Sequence, residues 1–587
     1  MASSNSKPSY NFNHRVFIVC LLLVSISFFL LVITFPPKSH LPTNQLPIRI
    51  QDKPIWFDLV QNEIKSGGDF GKIKVGFVNI DEDDDDDLVH KIHDTVTSPV
   101  ETVRVRFDQV DENLKWEDFF PEWIDEDNKW GPPTCPEIPM PSMTKRYEDL
   151  DVIVARVPCG DNYQTSAFGS SGGGRRRGEK KGIRDLFRLQ VNLVVAKLAV
   201  ESGWVLPDVD RTVHVVFIGS CGPMVEMFRC DDLVQHVGDY WVYKPDMRRL
   251  KQKVLMPVGS CQIAPDRFAE TGKEGWRQYM SQSTLKMLNR TTYHHQREAY
   301  VTILHSSEAY VCGAIALAQS IIQTHSKRDL VLLYDKSISS NSLRGLRAAG
   351  WKTKWISRIR SPFAKKDSYN EWNYSKLRLW QLTDYDKVIF IDADLLILKN
   401  IDHLFVLPEL SAAANDLTLF NSGLMVVEPS LCKLEDMMLK SFEIGSYNGG
   451  DQGLLNEIFT WWHRLPKKMN TLKMFNKPED EKHEIRDNLY AIHYLGLKPW
   501  MCYKDYDCNW DMESRRLFAS DSAHKQWWEV HDVMPQRLQK YCLLTKKMDN
   551  RIKKWRGIAR KANLSNGHWK IPVRDPRKYY NAFVKQE

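Results

Sequence analysis

Short apolar runs and helical periodicities divide the chain into two α/β stretches. Residues 74–80 (KVGFVNI), 103–107 (VRVRF), 151–157 (DVIVARV) and 213–219 (VHVVFIG) are compact and rich in β-branched residues, which predicts strands. Between the last two, Leu186, Leu189, Val191, Leu193, Val194 and Leu198 recur at helical spacing within residues 183–202. A first α/β domain is predicted over residues 71–296. From Arg297 the alternation becomes regular: strand 299–305, an apolar-striped helix 308–325, strand 329–335, a short helix 340–349, and a helix 373–382 leading into another strand. Strands alternating with helices predict a parallel, doubly wound, Rossmann-like sheet within a mixed α/β domain, here residues 297–510, followed by an extension over 511–587.

The most informative run is KVIFIDADLLILK, residues 387–399. It reads as one strand, apolar on both faces, as in a parallel sheet sandwiched between helices. Residues two apart on a strand project to the same side, so Asp392 and Asp394 can converge on one cation. In such sheets ligands lie beyond the carboxyl ends of the strands. The alternative is a strand-to-loop corner at which the aspartates accept from backbone amides.

The amino terminus changes the picture. Residues 16–35 are twenty in number, carry no charge and suffice to cross a bilayer. His14 and Arg15 precede them, Pro36 and Pro37 follow, and no small-residue cleavage site stands out. This predicts a 15-residue cytosolic tail (1–15), an uncleaved signal anchor (16–35) and a Pro-, Gln- and Asn-containing stem (36–70), with the remainder in the secretory lumen. Asn289, Asn373 and Asn563 head N-glycosylation sequons, and every cysteine but Cys20 lies beyond the span, where disulfides form; Cys502 and Cys508 are one candidate pair. A balance of 81 basic to 74 acidic residues, without a basic stripe interleaved with aromatics, argues against nucleic acid as a partner. The acidic run 81–87 reads as a solvated loop. The SGGGRRRGEKKG loop at 171–182 lacks the phosphate-loop pattern, and the adjacent His294 and His295 point to different sides. Trp461, Trp462, Trp500, Trp510, Trp527 and Trp528 read first as core, and the basic segment 546–570 as a solvated helix face.

Taken in chain order, Tyr310 after the first strand of the second domain, YSKLRLW around Lys376, FIDAD with Asp392, Ala393 and Asp394, and FNSGLMV with Asn421, Ser422 and Gly423 form a series. It continues with NGGDQGLLN, holding Asn448, Gly449, Gly450, Asp451 and Gln452, and HYLGLKPW with His493, Gly496 and Lys498. The set resembles glycosyltransferase family 8, the glycogenin-like enzymes, from about residue 300 to 500. The resemblance implies a GT-A nucleotide-sugar-binding fold with a Rossmann-like mixed sheet, and a Mn2+ ion held by Asp392, Asp394 and His493. It assigns Gly496 and Lys498 to the diphosphate, Lys376 to the donor, and Asn421, Ser422 and Gly423 to the donor sugar. Asp451 and Gln452, with Lys376, are the candidate catalytic residues near the anomeric carbon. The chemistry agrees: a divalent cation bridging a nucleoside diphosphate stabilises the leaving group, and oxygen donors with one imidazole suit manganese or magnesium.

Two departures bear on substrate. Glycogenins carry an aspartate where this chain has Asn448, which implies less negative charge facing the sugar and suits an anionic donor. Residues 464–493 offer no acceptor tyrosine for self-glucosylation, Tyr490 adjoining the final strand. With its anchor, stem and long first domain the chain looks like the plant xylan α-glucuronosyltransferases within the family. That implies a retaining, Golgi-resident type II membrane enzyme moving glucuronic acid from UDP-glucuronate to xylan, alone or in oligomers with other Golgi transferases. Arg378 and Lys399 are candidate partners for the donor carboxylate. Transfer to a sphingolipid, α-glucan initiation, and a catalytically dead glycan-binding scaffold are the alternatives.

Overall fold

The computed structural model describes residues 73–80, 100–120, 135–142, 145–159, 184–206, 209–255, 297–475 and 482–577. The expected membrane span, the stem, the acidic run, the Gly/Arg loop, the Asn289 sequon and the paired histidines lie outside them. Among the described residues no helix is long and apolar enough to cross a membrane.

The first sheet is built from β1 (Ile73–Val78), β2 (Val100–Val105), β3 (Val152–Arg156), β6 (His214–Ile218), β7 (Leu233–Val237) and β8 (Tyr240–Tyr243); a small separate pair, β4 (Trp204–Leu206) and β5 (Val209–Asp210), follows the helix α1 (Leu186–Gly203). Strand order is β2-β1-β3-β6-β8-β7, with the first four parallel and the last two antiparallel. α1 is buried on nearly all sides, so even its polar residues must be paired. Gln190 donates to the carbonyls of Asp108 and Pro139 and accepts from the Val110 amide, and Asn192 accepts from the Met224 amide. α2 (Met247–Leu255) closes this part.

The second sheet contains β9 (Glu298–Leu304), β10 (Asp329–Tyr334), β11 (Lys352–Trp355), β12 (Lys387–Ile391), β14 (Ser411–Ala414), β15 (Phe420–Val427) and β16 (His463–Leu465). Its order is β11-β10-β9-β12-β15-β14-β16. β11, β10, β9 and β12 are parallel, as the alternation of strands and helices predicts, and β15 runs antiparallel to both β12 and β14, so the sheet is mixed, as the family resemblance implies. Helices α3 (Val311–Gln323), α4 (Ser340–Ala348), α5 (Leu431–Glu443) and α6 (Asp451–Ile458) accompany it.

Two expectations need correction. KVIFIDADLLILK is two strands, not one: β12 stops at Ile391, and β13 (Leu395–Ile397) belongs to a three-stranded sheet, order β13-β18-β17, with β17 (Thr471–Leu472) and β18 (Ala491–His493). The helix expected over 373–382 is a 3₁₀-helix, Asn373–Gln381, unusually long for its kind. Its three-residue repeat stacks Tyr374, Leu377 and Trp380 on one fully buried ridge. That packing, together with the bond from Trp380 Nε1 to Glu409 Oε1 (2.6 Å), offsets the poorer backbone geometry.

The apolar core runs on from the first sheet to the second. Trp116 packs on Trp461 with ring centroids 4.2 Å apart, a disulfide joins Cys230 to Cys432, and the buried Arg229 Nη1 donates to Glu428 Oε2 at 2.7 Å. Beyond the second sheet come α7 (Asp521–Val533) and α8 (Lys546–Lys561), tied back by the Cys312–Cys542 disulfide. The Cys502–Cys508 pair anticipated from spacing is formed, as is Cys159–Cys221. Of the listed tryptophans all but Trp510 are buried, in keeping with the core reading. The Asn373 sequon is enclosed, since Tyr374 and Ser375 are fully buried, whereas Asn563 is exposed past the end of α8.

Candidate functional site

At the carboxyl end of β12 the chain turns at once. The Asp392 amide donates to the Gly423 carbonyl at 2.8 Å, and the Leu395 amide to the Asp392 carbonyl at 3.0 Å. Asp392, Ala393 and Asp394 therefore form the turn between the large and small sheets. This turn, rather than strand alternation, aims both carboxylates the same way. β18 pairs with β13 so that His493 stands opposite Leu395, and this brings the imidazole alongside. One ligand atom from each of Asp392, Asp394 and His493 fits within a 4.8 Å span. Among the described residues the other such grouping, around Cys230 and Cys432, is closed by their disulfide.

The histidine is oriented by Asn470. Its Nδ1 lies 3.1 Å from Asn470 Oδ1, while Asn470 Nδ2 donates to Asn421 Oδ1 at 2.9 Å. With the Asn470 oxygen thus an acceptor, Nδ1 donates to it and Nε2 is turned toward Asp394 Oδ1, 3.3 Å away. Two carboxylates and one imidazole nitrogen thus converge, a donor set that fits Mn2+ or Mg2+. Gly423 makes this close approach possible. A Cβ there would lie 2.6 Å from His493 Cε1.

Lys376 ties this group to the second half of the site. Its Nζ lies 2.5 Å from Asp451 Oδ2 and 3.3 Å from Asp392 Oδ1, and donates to the Ser422 carbonyl (3.1 Å) and hydroxyl (3.2 Å). Ser422 Oγ donates to Asp451 Oδ2 at 2.8 Å, and the Ser422 amide to Gln452 Oε1 at 3.3 Å. On the far side Lys498 Nζ donates to Asp394 Oδ2 at 2.7 Å. Burial works against both ammonium groups, but the facing carboxylates outweigh it and raise both lysines above their ordinary pKa. Asp392 is pushed up by burial and by Asp394, against the pull of Lys376. For Asp394 burial is overcome by the Lys498 ammonium, which holds it far below the usual carboxylate range.

The remaining expected residues divide. Tyr310 is half-buried with its ring 5.9 Å from Lys498 Nζ, and Gly496 (φ +76) lies in the turn between His493 and Lys498. Asn421 accepts from the Gly423 amide and from Asn470. Asn448 serves the backbone. Its Oδ1 accepts from the amides of Gly450 (2.9 Å) and Gly453 (3.2 Å), which satisfies the start of α6 and sets Asp451 on its first turn. Gly449, with φ +70, precedes it. Arg378 and Lys399 are committed elsewhere: Arg378 donates to the Ser357 carbonyl and hydroxyl, and Lys399 pairs with Asn488 and lies over the Tyr490 ring. Sequence reasoning missed Asn470, which belongs to no motif. It also missed a group after β9, where Arg358 pairs with Asp335 (3.1 Å), donates to Ser306, and stacks 4.0 Å above Trp372. His305 beside it is pushed down to about 4 by burial and is neutral near pH 7.

A turn-borne aspartate pair beyond a central strand, flanked by two buried lysines and a helix-borne carboxylate, defines a glycosyltransferase centre. Comparison with known proteins agrees. Residues 301–416 and 410–503 match glycosyl transferase family 8, and residues 48–261 match a domain described as the GUX1-5 N-terminal domain. Two Arabidopsis thaliana proteins provisionally named UDP-glucuronate:xylan alpha-glucuronosyltransferases 5 and 4 are 52% and 51% identical, over 96% and 97% of this chain and 97% and 98% of theirs. The Arabidopsis UDP-glucuronate:xylan alpha-glucuronosyltransferase 2 is 49% identical over 86% of this chain and 81% of its own. The chain belongs to glycosyltransferase family 8.

Proposed function

We propose that the chain is a GT-A-type, retaining, manganese-dependent α-glucuronosyltransferase that moves glucuronic acid from UDP-glucuronate onto xylan. The observation that carries this is the single cluster formed by Asp392, Asp394, His493, Lys498, Lys376 and Asp451, within a chain alike over nearly its whole length to relatives named for that reaction. Asp392, Asp394 and His493 would hold the metal, which when bound supplies positive charge to the diphosphate. Lys498 adds an ammonium beside them. Lys376 and Ser422 both bond Asp451 Oδ2, and a carboxylate so engaged is a weakened nucleophile. This favours front-face transfer, in which the acceptor hydroxyl enters on the side the phosphate leaves. The uncharged run 16–35 supports a type II anchor with this site in the Golgi lumen.

The test is a panel of UDP-sugars offered with Mn2+ and xylo-oligosaccharides, read by mass and by the anomeric NMR signal. Addition of one hexuronic acid in α linkage, abolished by a chelator and restored by Mn2+, is expected. Transfer of a different sugar, or turnover indifferent to chelation, overturns the reading.

A further inference from the structure

Three large aromatic side chains stand in solvent around this cluster: Phe363 is 43% exposed, Tyr369 79% and Tyr447 53%. They belong to two loops that touch. Residues 361–371 are closed by the Ser361 amide on the Glu371 carbonyl (2.7 Å) and by the Glu371 carboxylate, which accepts from the Asp367 amide (2.8 Å) and Arg360 Nε (3.0 Å). This loop reaches the one before α6: Asn370 Nδ2 donates to the Asn448 carbonyl at 2.7 Å, and a Cβ on Gly449 would sit 3.2 Å from the Phe363 carbonyl. Phe363 and Tyr447 are thus held on neighbouring, mutually braced turns.

Each ring also connects inward. Gln452 Nε2 donates to the Tyr447 hydroxyl at 2.8 Å, so this tyrosine is one bond from a residue placed at the reacting carbon. Tyr369 lies beside Tyr310, whose ring faces Lys498. Rings on braced loops lose little further freedom on binding, and their apolar faces match the C–H faces of pyranose rings while the tyrosine hydroxyls meet sugar hydroxyls. The Glu371 carboxylate is used within the loop, bonding Arg360 and the Asp367 amide, so the rings rather than an ion pair with Glu371 are what the braced loop offers here.

We propose that Phe363, Tyr369 and Tyr447 form the acceptor platform, stacking against pyranose rings of a neutral, extended polysaccharide on either side of the ring that receives the sugar. This rests on the reading of the chain as a xylan glucuronosyltransferase. It is tested on the full chain with Mn2+ and UDP-glucuronate, comparing KM for xylohexaose and for xylobiose, with UDP affinity by calorimetry as a check that each variant is folded. Phe363→Ala and Tyr447→Ala are each expected to raise KM for xylohexaose about tenfold, and KM for xylobiose less than about twofold, because the short acceptor leaves most of the platform unused. Tyr447→Phe keeps the ring and stays within about threefold of the unaltered chain for xylohexaose. Phe363→Leu, which keeps bulk without the ring, stands in if the alanine variant loses UDP binding. An equal rise for both acceptors, or a fall in kcat with KM unmoved, overturns the platform. Failure of the unaltered chain to modify xylohexaose instead overturns the functional reading and the acceptor with it.

Discussion

Among the described residues, two clusters of buried ionised groups differ in sign. In the site, the carboxylates of Asp392, Asp394 and Asp451 exceed the ammonium groups of Lys376 and Lys498. At the junction of the two sheets the cations exceed the anions: Arg229, Lys253, Lys387 and Lys433 surround Glu409 and Glu428. The consequence appears in the lysines. Those of the site are raised above the ordinary value, whereas Lys387 is lowered by burial that Glu428 only partly offsets, and Lys253 is pushed down to about 8 by burial. Burial of charge alone therefore does not mark function. What marks it is an unbalanced surplus left facing a gap, here a surplus of negative charge that one more cation would satisfy.

The largest expected effect lies at the junction. Glu428 is deeply buried between Arg229 and Lys387, which hold its carboxyl below the usual range against the cost of burial. Glu428→Ala leaves these cations uncompensated and is expected to lower stability by about 3–5 kcal/mol, measured by denaturant unfolding. Because the folded pKa is depressed, Glu428 stabilises fully above the unfolded carboxylate pKa, and that contribution fades as pH falls through the folded value. The stability gap between the unaltered chain and the variant should then hold steady from neutral pH to about pH 5 and narrow in stronger acid.

Asp392→Asn should do the opposite. Its carboxyl is raised, so removing the charge relieves the folded state: transfer should fall about 100- to 1,000-fold while the unfolding midpoint stays level or rises. A parallel loss of stability would erase the contrast. Asn470→Ala, which frees the His493 ring, is expected to weaken Mn2+ binding about 10- to 100-fold, read by metal titration of the folded chain. Smallest is Lys253→Met at the junction, where removing a surplus buried cation should be neutral or raise stability by about 1 kcal/mol at pH 7, and by less above pH 9, where the lysine is already neutral.

Much of the site was legible because its residues sit in short motifs whose spacing is local. Asp392, Asp394, His493, Lys376, Asp451 and Lys498 do converge. What local spacing hides is where a strand ends: residues 387–399 are apolar throughout, so nothing in composition separates one buried strand from two strands of different sheets. The antiparallel direction of β15 was likewise invisible, since a strand buried on both faces reads the same either way. The backbone role of Asn448 was not legible, because a short polar side chain before a helix serves backbone amides as readily as a ligand. Asn470 meets His493 through the pairing of β17 with β18, a register that no periodicity reveals. Arg378 and Lys399 were reasonable cations with unreadable directions.

Arg577 gives the order of assembly an unexpected weight. Buried and paired with Asp575, it donates to the carbonyls of Trp500 and Cys542 at 2.8 and 3.0 Å and also bonds that of Cys502. Trp500 in turn donates to Ala309 and closes on Gly313, which abuts the Ala393 carbonyl in the turn that carries Asp392 and Asp394. Domains emerging from a ribosome fold from the amino end. This catalytic sheet receives its backing only after the helices beyond it have been made. A chain cut short before Asp575 would carry every motif residue and still lack the wedge that seats them.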